Sequence, residues 1–167
     1  MTVRTDLSQK TKVELTSDTS LVLTRRFAAP AQRVFRAMTD PGLVPRWYGL
    51  ASLRMEVCEI DLRVGGRWRF VLSAPEAGTH AFSGVYREIL PGQRLVHTEN
   101  YEPLGDGHEI LVTSTFEERD GSTLFRSTLL YRSKADRDGH IESGMEAGAS
   151  ESHDRLAGVL SAMGLAR

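Results

Sequence analysis

Between residues 52 and 131, apolar and polar residues alternate over one segment after another. Trp68, Phe70 and Leu72, for example, take every second position of residues 67–73, and a period of two is typical of a strand with one buried face. The same pattern predicts further strands over residues 12–16, 20–27, 52–61, 80–90, 94–101, 108–118 and 123–131. Because short turns such as Asp120-Gly121 separate these segments, we expect an antiparallel sheet built largely from consecutive hairpins.

The period becomes helical in two other parts of the chain. Val34, Phe35 and Met38 lie at helical spacing and predict a short helix, and Asp40 can cap a second short helix that follows it. A long helix is predicted over residues 135–163, where apolar and small residues form one stripe. This order of elements predicts an α+β fold, in which a curved antiparallel sheet wraps around a long C-terminal helix.

Length and charge restrict the class of protein. The 167 residues fit one domain, expected over residues 11–167 after a flexible, polar N-terminus of residues 1–10. The formal net charge is -1, which argues against nucleic-acid binding through bulk charge. Since no apolar run approaches the ~20 residues of a membrane helix, no integral membrane association is expected. The sequence leaves a homodimer open.

The single cysteine, Cys58, excludes an intramolecular disulfide and a cysteine-based zinc cluster. It is compatible with a reducing compartment, and the polar N-terminus lacks the apolar segment of a signal peptide. The expected location is therefore the cytoplasm.

No motif in the sequence identifies a catalytic or metal site. The five histidines have no metal-ligand spacing, so no metal or cofactor is expected, and no serine lies in a Gly-x-Ser-x-Gly elbow. His80, His108 and His140 are expected in loops or at helix starts, without a role in a site. Glu99 and Glu102 are expected at solvated edges. An enzyme of this fold would need convergent titratable groups, and the only candidates are His97, His153 and Glu99.

The predicted concave face carries many aromatic side chains together with small and polar ones such as Gly84, Ser114 and Ser127. A packed core is one interpretation of this face, but small and polar groups among aromatics are also typical of a ligand cavity. The glycines of the long helix, Gly148 among them, indicate a close approach to the sheet or to a bound molecule. The residues predicted to bind a ligand are Trp47, Trp68, Phe70, Phe82, Tyr86, His97, Val112, Ser114, Phe116, Phe125, Met145, Ala149, Ser152 and His153.

Four segments follow one another in the order of a known family. They are RRFAAPAQRVFRAMTDPGLVPRWYG (residues 25–49), DLRVGGRWRF (61–70), FSGVYREILPGQRLVHTE (82–99) and GMEAGASESHDRLAGVL (144–160). With these segments the chain resembles the SRPBCC superfamily, in the branch similar to the activator of heat-shock-protein-90 ATPase. The resemblance implies a helix-grip fold of the START and Bet v type, with a deep apolar cavity between sheet and helix.

The resemblance also ranks the functions to be expected. Superfamily members bind lipids, sterols, polyketides and other hydrophobic molecules, so binding of a small hydrophobic ligand comes first. An enzyme of cyclase or hydrolase type that uses the same cavity comes second. A chaperone partner, as the branch name suggests, comes third.

Two positions depart from the family pattern. Members commonly carry Trp where this chain has Ala149, and an apolar residue where it has His153. Loss of the Trp side chain implies a larger pocket, with His153 and His97 as polar contacts to the ligand.

Overall fold

In the computed structural model, which describes residues 10–165, eight strands form one antiparallel sheet. They are β1 (Lys12–Ser17), β2 (Ser20–Phe27), β3 (Arg54–Ile60), β4 (Arg67–Ala74), β5 (Gly78–Leu90), β6 (Arg94–Tyr101), β7 (Ile110–Arg119) and β8 (Ser122–Leu130). Their order across the sheet is β1-β2-β8-β7-β6-β5-β4-β3. The predicted antiparallel sheet is confirmed. Apart from Lys10, the segment predicted to be a flexible N-terminus lies outside the described residues.

The alternation in the sequence defines the two faces of the sheet. In β2, Leu21, Leu23, Arg25 and Phe27 are buried while the residues between them are partly exposed. The pairing register of β5 with β6 shifts between Tyr86 and Glu88. Because an extra residue of this kind bends a strand and increases its twist, the long β5 curves around the concave face.

Three α-helices accompany the sheet: α1 (Ala31–Thr39), α2 (Lys134–Glu142) and α3 (Met145–Leu165). The second short helix predicted from the sequence is a single 3-10 turn, Val44–Arg46. Asp40 Oδ1 accepts a hydrogen bond from the Gly42 N–H at 2.8 Å, so Asp40 caps the turn that leads into it. Among residues 10–165, no helix is long and apolar enough to cross a membrane.

The continuous helix predicted over residues 135–163 is interrupted. α2 ends at Glu142 with Ser143 as its C-cap, and Gly144 has a φ of +88°, in the left-handed region that favours glycine. The Gly144 N–H donates to the Ile141 carbonyl at 3.1 Å, which closes the last turn of α2. A new helix, α3, then starts at Met145, so that the helical stretch forms two separate segments.

α3 lies across the concave face of the sheet. In its second half, Leu156, Val159 and Leu160 are buried in a core shared with α1 and the sheet. Near its middle, the Arg155 Nη1 donates to the carbonyl of Gly49 at 2.8 Å. The first half of α3 carries smaller residues: Met145 and Ala149 pack against a second cluster on the sheet that includes Leu21 and Leu129, and part of the space between helix and sheet stays unfilled.

Candidate ligand-binding cavity

A cavity of about 520 Å³ lies between the concave face of the sheet and the first half of α3. All the residues predicted to bind a ligand border it, with the exception of Phe116. Ala149 lies on the cavity side of α3, as its departure from the family pattern implies. A Cβ atom added to Gly148 would meet no neighbouring heavy atom within 4 Å. Gly148 therefore borders open space and does not mark a close approach to the sheet.

Phe116 belongs to the packed core. Its ring lies 5.5 Å from Phe35 and 5.4 Å from Phe125, centroid to centroid, and it does not border the cavity. The sequence places Phe116 on the correct face of β7, but α1 covers that end of the sheet. Along β7 the concave face thus changes from cavity wall, at Val112 and Ser114, to filled core.

One side of the cavity is an aromatic wall. The ring of Phe70 lies 4.9 Å from Trp68 and 4.8 Å from Tyr48, and Tyr48 in turn lies 6.2 Å from Phe82. The indole N–H of Trp68 donates to the Thr98 carbonyl at 3.1 Å. With its polar atom satisfied by the backbone, Trp68 presents only apolar surface to the cavity.

Gly84 lies on the predicted concave face, but it does not have the role of a small residue that makes room for a ligand. A Cβ atom at this residue would lie 1.8 Å from the Thr98 carbonyl oxygen and 2.6 Å from Trp68 Nε1. The missing side chain is therefore required by the close contact between β5, β6 and the indole, and it does not enlarge the cavity.

His97 and Glu99 provide polar groups on the strand β6. The ring of His97 is T-shaped against Trp68 at 5.5 Å and against Tyr86 at 6.2 Å. Its Nδ1 is enclosed and has no hydrogen-bond partner within residues 10–165. Burial lowers the pKa of His97 to about 4, so the ring is neutral at physiological pH.

The prediction that Glu99 lies at a solvated edge is wrong, because its side chain borders the cavity. Its carboxylate makes no hydrogen bond or ion pair with another residue of the described chain. Burial raises its pKa to about 7. Burial, and secondly the charge of Glu99, also raises the pKa of Tyr48 and of Tyr131. Glu102, by contrast, does pair outside the cavity, with Arg69 at 2.9 Å.

His153 is fixed by its neighbours. Its Nδ1 lies 2.7 Å from the hydroxyl of Thr11, and its ring is T-shaped against Phe27 and Phe125, both at 5.7 Å. Burial, followed by the positive charge of Arg25, lowers the pKa of His153 to about 4. It therefore contributes a neutral imidazole to the cavity wall.

Two further histidines border the cavity, although the sequence assigned them no role. His80 Nδ1 lies 2.8 Å from the hydroxyl of Tyr101, and His140 Nδ1 is hydrogen-bonded to the hydroxyl of Tyr131. His80 continues the period of two that includes Phe82, and this signal could have identified it. His140 has no such signal, because its position depends on how α2 lies against the sheet. The remaining histidine, His108, pairs with Asp136 at 2.9 Å, away from the cavity.

The remaining cavity residues are not among those predicted to bind a ligand, although the strand pattern places Leu72 and Ser127 on the concave face. They are Leu23, Met38, Tyr48, Gly49, Leu50, Ser52, Leu53, Leu72, Ala77, Leu95, Ser127, Leu129, Ser143 and Gly144. Nowhere in residues 10–165 do three histidine, cysteine or acidic side chains lie together in a way that could hold a metal ion.

The family described as Activator of Hsp90 ATPase homolog 1-like protein matches residues 28–161. This chain belongs to that family. The match includes every cavity residue except Leu23, and with the helix-grip fold it places the chain in the corresponding branch of the SRPBCC superfamily. Among curated proteins, no sequence matches this chain.

Solved structures of similar chains share the fold. A protein of Rhodobacter sphaeroides is 29% identical with a TM-score of 0.83, and the match covers 92% of this chain and 99% of that one. A Mycobacterium smegmatis protein is 25% identical with a TM-score of 0.81, over 90% and 96% of the two chains. An AHSA1-like protein of Aeromonas hydrophila shares the fold at 22% identity, with a TM-score of 0.66 over 86% and 94%.

Proposed function

We propose that this chain binds a small hydrophobic molecule in the cavity between the sheet and α3. The observation that carries the proposal is the cavity itself, whose volume of about 520 Å³ falls in the ordinary range of small-molecule sites. Its wall is mainly aromatic and aliphatic, with a few polar groups at defined positions, as in sites where burial provides affinity and polar groups fix orientation.

The size of the side chain at position 149 determines how much of this space is free. Ala149 borders the cavity and packs against the cluster that contains Leu21, Leu23 and Leu129. An indole at this position would extend from α3 into the space in front of the aromatic wall. The substitution Ala149→Trp is therefore expected to fill the cavity without disturbing the core below it.

The test is a titration with Nile red, an uncharged apolar dye, followed by its fluorescence. The native chain and Ala147→Trp should bind the dye, because Ala147 lies on the exposed side of the same helix. Ala149→Trp should lose binding by about tenfold or more, since most of the apolar contact area is removed. Equal binding by all three proteins would contradict the proposal, as would the absence of any dye binding to the native chain.

Catalysis in the same cavity is a second candidate, favoured by the positions of His97 and Glu99. A neutral imidazole and a carboxyl group with a pKa of about 7 are the kinds of group that act as general base and general acid. Uncharged aryl esters are suitable probes for hydrolysis. Turnover by the native chain that is no faster than that by Glu99→Gln would count against this candidate.

The description of the family supplies a third candidate, stimulation of a heat-shock-protein-90-type ATPase. The test is the ATPase rate of the cognate chaperone with and without this chain. An unchanged rate at saturating concentration would remove the candidate. Ala149→Trp separates it from ligand binding, because a docking surface outside the cavity would be unaffected by the substitution.

A further inference from the structure

The groups of the cavity lining that can carry a full charge at neutral pH, histidines aside, are of one sign. Within residues 10–165, Glu99 is the only lining residue with an acidic side chain, and no lysine or arginine of this range borders the cavity. The guanidinium of Arg25 influences the pKa of His153 but lies outside the lining, where it pairs with Asp154 at 2.7 Å. The cavity thus contains one group that can carry a negative charge and no permanently positive one.

The carboxylate of Glu99 also lacks an internal partner. No hydrogen bond or salt bridge within residues 10–165 satisfies it. Glu99 is half-buried and its carboxylate faces a largely apolar cavity, where charge is solvated poorly, so a group that donates a hydrogen bond or carries a positive charge would stabilise it. Since residues 10–165 provide no such group, the carboxylate is available to a ligand.

The aromatic wall favours the same sign of charge on the ligand. Aromatic rings present a negative face and a positive edge, and a cation within about 6 Å of a ring face is attracted to it. Seven phenylalanine, tyrosine and tryptophan side chains of the described residues border the cavity together with Glu99: Trp47, Tyr48, Trp68, Phe70, Phe82, Tyr86 and Phe125. Among them Tyr48 is close enough to Glu99 for the charge of the carboxylate to act on it.

We propose that the ligand is an apolar amine, whose ammonium group pairs with Glu99 while its hydrocarbon body lies against the aromatic wall. The inference rests on the proposed binding function and deepens it by naming the ligand's polar group. An alcohol with the same body could donate one hydrogen bond to Glu99 but would not neutralise its charge. A carboxylate ligand, such as a fatty acid, would meet Glu99 without a cationic partner and be repelled.

Isothermal titration calorimetry with three probes of one shape tests this inference: naphthylethylamine, naphthylethanol and naphthylacetate, at about pH 8. The affinity of the amine should exceed that of the alcohol by about tenfold or more, because a hydrogen bond between charged groups is stronger than a neutral one. The carboxylate should bind weakest of the three.

Two variants assign the effect to Glu99. In Glu99→Gln, the amine should lose about tenfold in affinity, the alcohol should change by about twofold or less, and the carboxylate should bind more tightly. Glu117→Gln removes the same charge from an exposed position on β7 and should leave all three affinities unchanged.

Each outcome decides between the two proposals. If the alcohol binds as tightly as the amine, or the carboxylate binds tightest, the amine inference is overturned while the binding function stands. If the amine is preferred but Glu99→Gln leaves that preference intact, the assignment to Glu99 is overturned. If none of the three probes binds while Nile red does, the amine inference is overturned and the binding function stands; if Nile red does not bind either, both fall.

Discussion

His97 and Glu99 lie two residues apart on β6, and both side chains border the cavity. Burial acts on the two groups in opposite directions: it lowers the pKa of His97 to about 4 and raises that of Glu99 to about 7. In both cases the uncharged form is favoured, because the surroundings solvate charge poorly. The stability of the fold should therefore depend on pH at both residues, with opposite signs.

Glu99→Gln should stabilise the protein at high pH. The folded chain holds the Glu99 proton up to about pH 7, whereas the unfolded chain releases it near the ordinary pKa of 4.5. Between these values the folded state binds more protons, so the free energy of unfolding of the native chain falls as pH rises. As the pH rises from about 4 to about 8, the free energy of unfolding of the variant should increase by about 3 kcal/mol relative to that of the native chain.

Urea unfolding over this pH range measures the effect. Glu117→Gln, which alters an exposed carboxylate of β7, serves as the control and should follow the native chain at every pH. If the difference in the free energy of unfolding between Glu99→Gln and the native chain is the same at every pH, folding does not change the pKa of Glu99, and the prediction is wrong.

His97→Gln should change the acid side of the same profile. Unfolded His97 takes up a proton below its ordinary pKa of 6.5, whereas folded His97 resists protonation down to about pH 4. In this interval the unfolded state binds more protons, so the free energy of unfolding falls as the solution is acidified. Between about pH 7 and pH 4, the free energy of unfolding should fall in both proteins, but the fall should be smaller in the variant by up to about 3 kcal/mol. Parallel unfolding profiles of the two proteins would contradict this.

Gly84→Ala and Gly158→Ala should have opposite effects on stability. At Gly84 an added methyl group would lie 1.8 Å from the Thr98 carbonyl oxygen, so β5 and β6 must separate, which we expect to cost about 3 kcal/mol or more. At Gly158, inside α3, the methyl group meets nothing within 4 Å and should add up to about 1 kcal/mol through helix propensity. Thermal or urea unfolding compares the two, and equal effects would refute the role assigned to Gly84.

Tyr131→Phe should loosen α2. The Tyr131 hydroxyl is hydrogen-bonded to His140 of α2, and its loss should lower the free energy of unfolding by about 1 kcal/mol. Hydrogen exchange should become faster in α2 than in α3, since Gly144 separates the two helices. Tyr101→Phe removes the corresponding hydrogen bond to His80, on β5, and should leave exchange in α2 unchanged. Equal acceleration in α2 and α3 would indicate that the two helices unfold as one unit.

The sequence predicts the faces of the strands well, because a period of two assigns every second side chain to one side of the sheet. It assigns Gly84 to the cavity, which is wrong. Only the pairing of β5 with β6 shows that the Thr98 backbone occupies the place of a side chain at Gly84. The break at Gly144 follows from its positive φ, but the apolar pattern on both sides of it continues without interruption. Helical periodicity alone therefore predicts one helix.

Glu99 shows why the candidate site could be predicted only in part. Its alternation with His97 places it on the concave face, whereas its charge indicates solvent, and the second signal outweighed the first. What decides between the two is the space left beside it, which depends on how the first half of α3 is held away from the sheet. That distance depends on contacts between residues far apart in sequence, such as Arg155 and the Gly49 carbonyl.

The cavity wall joins Leu23 of β2 to His153 of α3, so it exists only when both ends of the chain are in place. Under the proposed function, a ligand therefore binds the folded state alone. By mass action, each tenfold increase in its free concentration above the dissociation constant adds about 1.4 kcal/mol to the free energy of unfolding. On this proposal, a larger supply of the ligand would also protect the protein from proteolysis, and the abundance of the protein would rise with that supply.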